Sequence, residues 1–277
     1  MRAAIDRSCW IAPFATALLA LVACREPEPA GPNVGTNSNW LRKCSTDEQC
    51  GDLPACRCAA CTAECEQDSD CDALGEGRCL RDGDPSVRAT CETEEPNLPR
   101  GICMPSCEPG SCGEGRACVG GFCARLELPD IPFCASAAQA TMEDRAAEDA
   151  LLELYSDLRA GGGATCGGGA ASAPVPELRL DGRLVCEARV LAADIATSRR
   201  PGATDSMGRT AEDRLRMVGY TQQLWAESYA IDASTAGRAL QLILADPGSC
   251  MRLTSTGYAE VGVGSAGDVH VIVIGRD

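Results

Sequence analysis

The chain has 277 residues, 20 cysteines, one histidine and a formal net charge of −15. Its length allows one ordinary domain plus a smaller one, and with 3 Trp, 4 Tyr and 3 Phe the core must be aliphatic or held by disulfides. The acidic excess repels nucleic-acid phosphate, which excludes a nucleic-acid partner, and a lone imidazole excludes any two-histidine site within one chain.

In chain order, residues 1–23 read as an export signal. Arg2 and Arg7 make a basic start, and 10–23 is apolar apart from Thr16. That stretch falls short of the roughly 20 residues a spanning helix needs, and Pro13 interrupts it. It ends Leu21-Val22-Ala23-Cys24, which resembles the bacterial lipobox, so Cys24 is expected to carry lipid and tether the chain to a membrane without any protein span. Arg25, where retained inner-membrane lipoproteins often have Asp, points to the outer membrane of the cell envelope. Residues 24–43 are rich in Pro, Gly and Asn without helical or strand periodicity, as in a flexible tether.

Residues 44–123 hold fourteen cysteines, and Cys134, Cys166, Cys186 and Cys250 follow. Both sets are even, which in an exported chain fits disulfide pairing within two modules. Zinc is the competing reading of Cys56-Arg-Cys58-Ala-Ala-Cys61, disfavoured outside the cytosol. A loose Cys-x5-Cys repeat appears at Cys44–Cys50 and Cys65–Cys71, and 107–123 resembles short knotted extracellular repeats. The pairing order of this disulfide-rich, mostly irregular module does not follow from spacing. Asp68-x-Asp70-x-Asp72 has the alternation of a calcium loop, but position twelve is Cys79 and no helical flanks are present, so a solvated acidic loop is the better reading.

From Thr141 the periodicity becomes helical. Thr141 and Asp144 can form a capping box, and Met142, Ala146, Ala150, Leu151, Leu154 and Leu158 recur until Gly161. A second helix is expected over 182–197, with Leu184, Ala188, Leu191 and Ile195 on one face. A third starts at Thr210-Ala-Glu-Asp213 and ends at Gly219, and a fourth, capped by Ser234 or Thr235, closes at Asp246-Pro247-Gly248. Strands are expected at 258–264 and 269–274. The last is apolar on both faces, as in a strand between two layers. This order of elements implies an α+β sandwich over 138–277.

Seven pieces of 151–274 then resemble one family in order and spacing: LLELYSDLRA, GATC at 163–166, LRLDGRL leading into CEARVLAADI, GRTAEDRLRMVGY at 208–220, AES at 226–228, DPGSC at 246–250, and GYAEVGVG at 257–264. They are similar to the CAP superfamily (cysteine-rich secretory proteins, antigen five, pathogenesis-related one), specifically its bacterial, SCP-like branch. The resemblance implies a CAP-type α-β-α sandwich and the disulfides Cys166–Cys250 and Cys134–Cys186. It also implies a cavity in which His residues and a Glu hold a divalent metal. Here only Glu227 carries over, because the His positions fall at Ala203, Leu191 and Ser249, Ser228 stands in the Gly-Glu-Asn motif, and Arg252 replaces an Asn. One carboxylate cannot stand for that ligand set, so the cavity is read as degenerate, with no metal, no cofactor and no catalytic residue.

His270 is then the one possible imidazole base. A hydrolase would need it, or Ser249, beside Glu227, without the strand-to-helix elbow that usually exposes a nucleophile. Gly262-Val-Gly264-Ser-Ala-Gly267 matches a dinucleotide fingerprint but precedes a strand, and so reads as a hairpin. The sequence therefore favours a surface-anchored, non-catalytic lipoprotein that binds an extracellular ligand or partner. The alternatives are a divergent hydrolase using Glu227 with Ser249 or His270, and an adhesive or inhibitory role carried by the cysteine-rich module.

Overall fold

The computed structural model describes residues 44–276 apart from 52, 54, 59, 75–76, 82–99, 113–114 and 223. The export signal, the lipid site at Cys24 and the tether lie outside the described residues.

Residues 44–126 carry strands β1 (Ala55–Arg57), β2 (Ala60–Thr62), β3 (Glu64–Cys65), β4 (Gly77–Leu80), β5 (Gly101–Pro105), β6 (Arg116–Val119) and β7 (Phe122–Arg125). The disulfides reveal three copies of one unit. In each, the first cysteine bonds the third and the second bonds the fourth: Cys44–Cys56 with Cys50–Cys61, Cys65–Cys79 with Cys71–Cys103, and Cys107–Cys118 with Cys112–Cys123. The third and fourth cysteines of each unit stand opposite one another across an antiparallel hairpin, as Cys56 and Cys61, Cys79 and Cys103, and Cys118 and Cys123. Each therefore reaches back to a different point of the preceding turn, and the hairpin is stapled twice. Cys58 is disulfide-bonded as well. Buried cysteines and a few aliphatic residues are nearly all the core such a unit has, so loop closure, about 2–4 kcal/mol per bridge, supplies most of its stability.

The acidic residues of these turns serve the backbone. Asp47 accepts the Cys56 N–H at 2.7 Å, and Asp68, at the same place in the second unit, accepts that of Cys79 at 2.8 Å. Asp70 accepts from Glu66 and Gln67. Two members of the calcium-like triplet are thus turn caps. In the third unit the corresponding position is Gly110, whose N–H instead reaches Asp149 of the following domain at 2.9 Å. Ala117, Val119, Ala124 and Leu126 of this unit join the core formed with Leu151, Leu152 and Tyr155, so the third hairpin is docked against the first long helix.

The remainder contains α1 (Met142–Gly161), β8 (Arg179–Leu180), α2 (Gly182–Ser198), α3 (Ala211–Met217), β9 (Trp225–Ala230), α4 (Ala236–Ala245), α5 (Pro247–Leu253), β10 (Glu260–Ala266) and β11 (Val269–Gly275). Capping boxes at Thr141/Asp144 and Thr210/Asp213 start α1 and α3, and the Asp181 carboxylate caps α2. Asp246-Pro247 begins a helix as well as ending one: Asp246 accepts the Ser249 N–H, and Pro247, which has no N–H to leave unsatisfied, sits at the first helical turn. The sequence pattern predicts only the end of a helix at Asp246-Pro247-Gly248, whereas the same residues start α5.

The sheet order is β8-β10-β11-β9, with β10 and β11 antiparallel, β9 antiparallel to β11, and β8 parallel to β10. Val269, Val271 and Val273 face α2 and α3, while Ile272 and Ile274 face the layer of α1, α4 and α5. The result is an α+β sandwich of three layers. Gly262 and Gly264 are what bring α2 onto β10: a Cβ at either would lie 2.1–2.2 Å from the backbone of Leu184 or Ala188. The glycine-rich run belongs to helix-on-strand packing and, at Gly267 with φ +60°, to the hairpin turn. Cys134 bonds Cys186, and Cys166 bonds Cys250. No helix among the described residues is long and apolar enough to cross a membrane.

Candidate functional site

Alternation along β9 decides which side chains can meet. Glu227 lies opposite Val273 and Ser228 opposite Ile272, so Glu227 faces α2 and α3 while Ser228 turns to the other layer, buried. Glu227 meets Arg214 of α3, whose Nη2 donates to Glu227 Oε2 at 2.5 Å and whose Nε donates to Glu187 Oε1 of α2 at 2.7 Å. Nη1 of the same guanidinium reaches the Arg209 carbonyl at 3.0 Å. The Arg214 side chain is 1% exposed, that of Glu187 0% and that of Glu227 12%.

Two carboxylates share one guanidinium in this triad. Burial, then the neighbouring Glu227 charge, push the Glu187 carboxyl up to about 8. Glu187 Oε2 receives no hydrogen bond from any described donor, so nothing at that oxygen favours the anion. Arg214 stays firmly charged, because Glu187 and Glu227 outweigh the opposing effect of burial. At neutral pH Glu187 therefore holds its proton beside a charged Arg214.

Beside it opens a cleft of about 520 Å³ lined by Ala203, Thr210, Ala211, Glu212, Trp225, Ala226, Glu227 and Arg252. Of the cavity positions singled out in the sequence, Ala203 and Glu227 line it. Ser249 reaches it only through Arg252, whose Nη2 donates to Ser249 Oγ at 3.2 Å. Ser228, buried on the face toward the layer of α1, α4 and α5, is not among the residues that line it.

His270 is also separated from Glu227. It pairs with Ala230 and Ser265 on the face toward α1 and α4, where Nε2–H donates to the Ala233 carbonyl at 3.0 Å and Nδ1 accepts from Ser265 Oγ at 2.9 Å. Burial lowers its pKa and keeps the ring neutral. A hydrolytic pair of Glu227 with His270 is ruled out by the sheet between them.

A divalent metal does not fit the cleft. Of the ligand positions the resemblance implies, Glu227 is the one carboxylate there, it is already matched by Arg214, and Ala203 and Ser249 bring no imidazole. Elsewhere, the groupings of possible ligand residues among the described residues are cysteines of the three stapled units, such as Cys65, Cys71 and Cys103. Their sulfurs are all consumed in disulfides.

Sequence reasoning missed Glu187, Arg214 and Trp225. A signal existed: Glu187 falls three residues after Leu184 and four before Leu191, inside the apolar stripe of α2, where a charge needs a buried partner.

Fold and site together define a three-layer α-β-α sandwich, packed against a disulfide repeat module, with a cleft at one sheet edge backed by a buried Glu–Arg–Glu triad. No protein-family model matches the sequence, and no curated protein matches it. Among solved structures the chain is similar to an extracellular protein containing an SCP domain from Bacillus anthracis, with 18% identity over 55% of this chain and 45% of that one and a TM-score of 0.44. It is also similar to a cysteine-rich secretory protein from Staphylococcus aureus, with 14% identity over 48% and 38% and a TM-score of 0.36. A third similar structure is an outer surface protein from Borrelia burgdorferi, with 20% identity over 36% and 77% and a TM-score of 0.33. The chain spans less than half the length of the first of these.

Proposed function

We propose that this chain is a CAP-like, surface-anchored lipoprotein, held in the cell envelope by lipid at Cys24, whose sandwich domain binds an extracellular ligand or partner in the cleft beside Glu227 without catalysis. The observation that carries the reading is the engagement of Glu227. A general base must be free to take a proton, and this carboxylate is instead bonded to Arg214 at 2.5 Å. The cleft, by contrast, has the size of a ligand site, with an aromatic wall at Trp225 and a charged one at Arg252. The stapled module stands before it as a rigid, acidic spacer.

The reading is tested in two measurements. Radiolabelled palmitate fed to expressing cells labels the chain and fails to label Cys24→Ala. Full-length protein and Glu227→Gln hydrolyse p-nitrophenyl acetate at the same rate; turnover that vanishes in the variant defeats the non-catalytic reading.

A further inference from the structure

The cleft has a geometry that narrows its occupant, provided the binding reading above is right. Trp225, Ala226 and Glu227 are consecutive in β9, so their side chains point alternately to the two faces of the sheet, yet all three line the same cavity. A cavity reaches both faces of one strand only along its open edge. β9 is the edge strand, and among the described residues its outward N–H and C=O groups take no backbone hydrogen bond beyond the β11 ladder. The walls come from both helical layers, Ala203 and Glu212 on one side and Arg252 on the other. A second cavity of about 450 Å³ shares Trp225 and Glu212 with it at the start of the strand.

The charges select further. Glu227 is matched by Arg214 and Glu212 by Arg216 at 2.7 Å. Arg252 donates to the Ser249 hydroxyl at 3.2 Å; the Asp246 carboxylate feels its charge but makes no direct ion pair with it among the described residues, so the guanidinium keeps donors for a ligand carboxylate. An exposed strand edge is a template for pairing, and an extended chain that adds to such an edge gains backbone hydrogen bonds along it and specificity from alternate side chains.

We propose that the cleft takes an extended polypeptide segment that adds as a fifth strand to the open edge of β9 and sets a carboxylate against Arg252. Small residues at Ala203, Ala211 and Ala226 leave the approach to the strand open, and Trp225 receives an apolar side chain of the segment.

The test uses the full chain carrying Trp10→Phe and Trp40→Phe, so that Trp225 fluorescence alone reports occupancy. The probe is a position-scanned library of acetylated, amidated hexapeptides. The expected result is selection of Asp or Glu at one position, lost in Arg252→Gln with a fall in affinity of about fivefold or more. Methylation of alternate backbone nitrogens of the selected peptide, on the edge that meets β9, removes binding. Selection without acidic preference, a preference that survives Arg252→Gln, or insensitivity to N-methylation along both edges overturns the proposal. A Trp225 response to phosphatidylglycerol vesicles or to N-acetylglucosamine oligomers but to no hexapeptide overturns strand addition and leaves the binding reading standing. No response to any of these probes overturns both.

Discussion

Arg214 Nη2 lies 2.5 Å from Glu227 Oε2 in a site where the guanidinium is 1% exposed. A charge removed from water in this way is held by its partners and strands them when it leaves. Arg214→Met is expected to lose about 3–5 kcal/mol of unfolding free energy, the cost of uncompensated buried charge. The loss is smaller at pH 5 than at pH 8, because Glu187 can take up a proton. Replacing the triad together, as Arg214→Met with Glu187→Leu and Glu227→Gln, recovers most of it. Urea melts at the two pH values check this, and equal losses at both would remove the argument from charge.

Glu187 gives stability a pH dependence of definite sign. Its carboxyl is raised from 4.5 to about 8, so between those values the folded state holds a proton that the unfolded chain has released. Stability from this group is complete below pH 4.5 and declines as pH rises toward 8, by up to about 1.4 kcal/mol per unit. Glu187→Gln keeps an acceptor for Arg214 and cannot ionise. The difference in unfolding free energy between variant and wild type should grow in favour of the variant across this window and level off above it. A constant difference would show that Glu187 is ionised when folded.

Much of the sandwich was legible because its signals are local. The Thr-x-x-Asp boxes, the apolar stripes and the VHVIVI strand each follow from a few adjacent residues. Strand β9, WAESYA, was not legible: its Glu and Ser break the apolar run, and it is a strand because β11 offers an edge in register. In the cysteine module the spacing displayed a repeat, but the first-to-third and second-to-fourth pairing depends on hairpins that place Cys79 opposite Cys103 across a long insertion. At the site, Glu227 and Ala203 were named from resemblance, while Arg214 was missed because its partners lie 27 and 13 residues away.

His270 acts in the opposite direction to Glu187. Burial depresses its pKa below 6.5, so the unfolded chain takes up a proton that the folded ring refuses. This contribution is present above pH 6.5 and is lost as pH falls through that value toward the lower folded pKa. Ser265→Ala leaves Nδ1 without its 2.9 Å donor and is expected to cost about 1–2 kcal/mol. His270→Gln should flatten the acid limb of the stability profile below pH 6.5. An unchanged acid limb would mean that the ring is already charged in the fold.

The cross-links should differ in weight with the chain they close. Cys166 and Cys250 are 84 residues apart and Cys107 and Cys118 are 11 apart. On loop-closure entropy the first bridge is worth about 4–5 kcal/mol and the second about 3. Replacing each pair by Ala and measuring urea unfolding gives the order directly. Loss of the longer bridge should also weaken binding at the cleft, since Cys250 holds the helix that carries Arg252. A shorter bridge that proves the more costly would shift the main role from chain entropy to the packing of the third hairpin.

Gly262 and Gly267 belong to one hairpin and should respond differently to the same added methyl. A Cβ at Gly262 would sit 2.1 Å from Leu184 C and 2.3 Å from Val185 N, both backbone, so α2 must lift from β10 across its whole contact. Gly267 has φ +60° with nothing within 4 Å, and its substitution meets only the strain of left-handed backbone. Gly262→Ala is expected to cost about 3 kcal/mol, at the upper end for an overpacked core, and Gly267→Ala about 1. The first should also disturb Glu187, one turn along the displaced helix, and so alter the pH dependence of stability, which the second leaves as it is. Equal costs in urea melts, or a pH profile unchanged in Gly262→Ala, would mean that α2 and β10 do not approach as closely as these glycines allow.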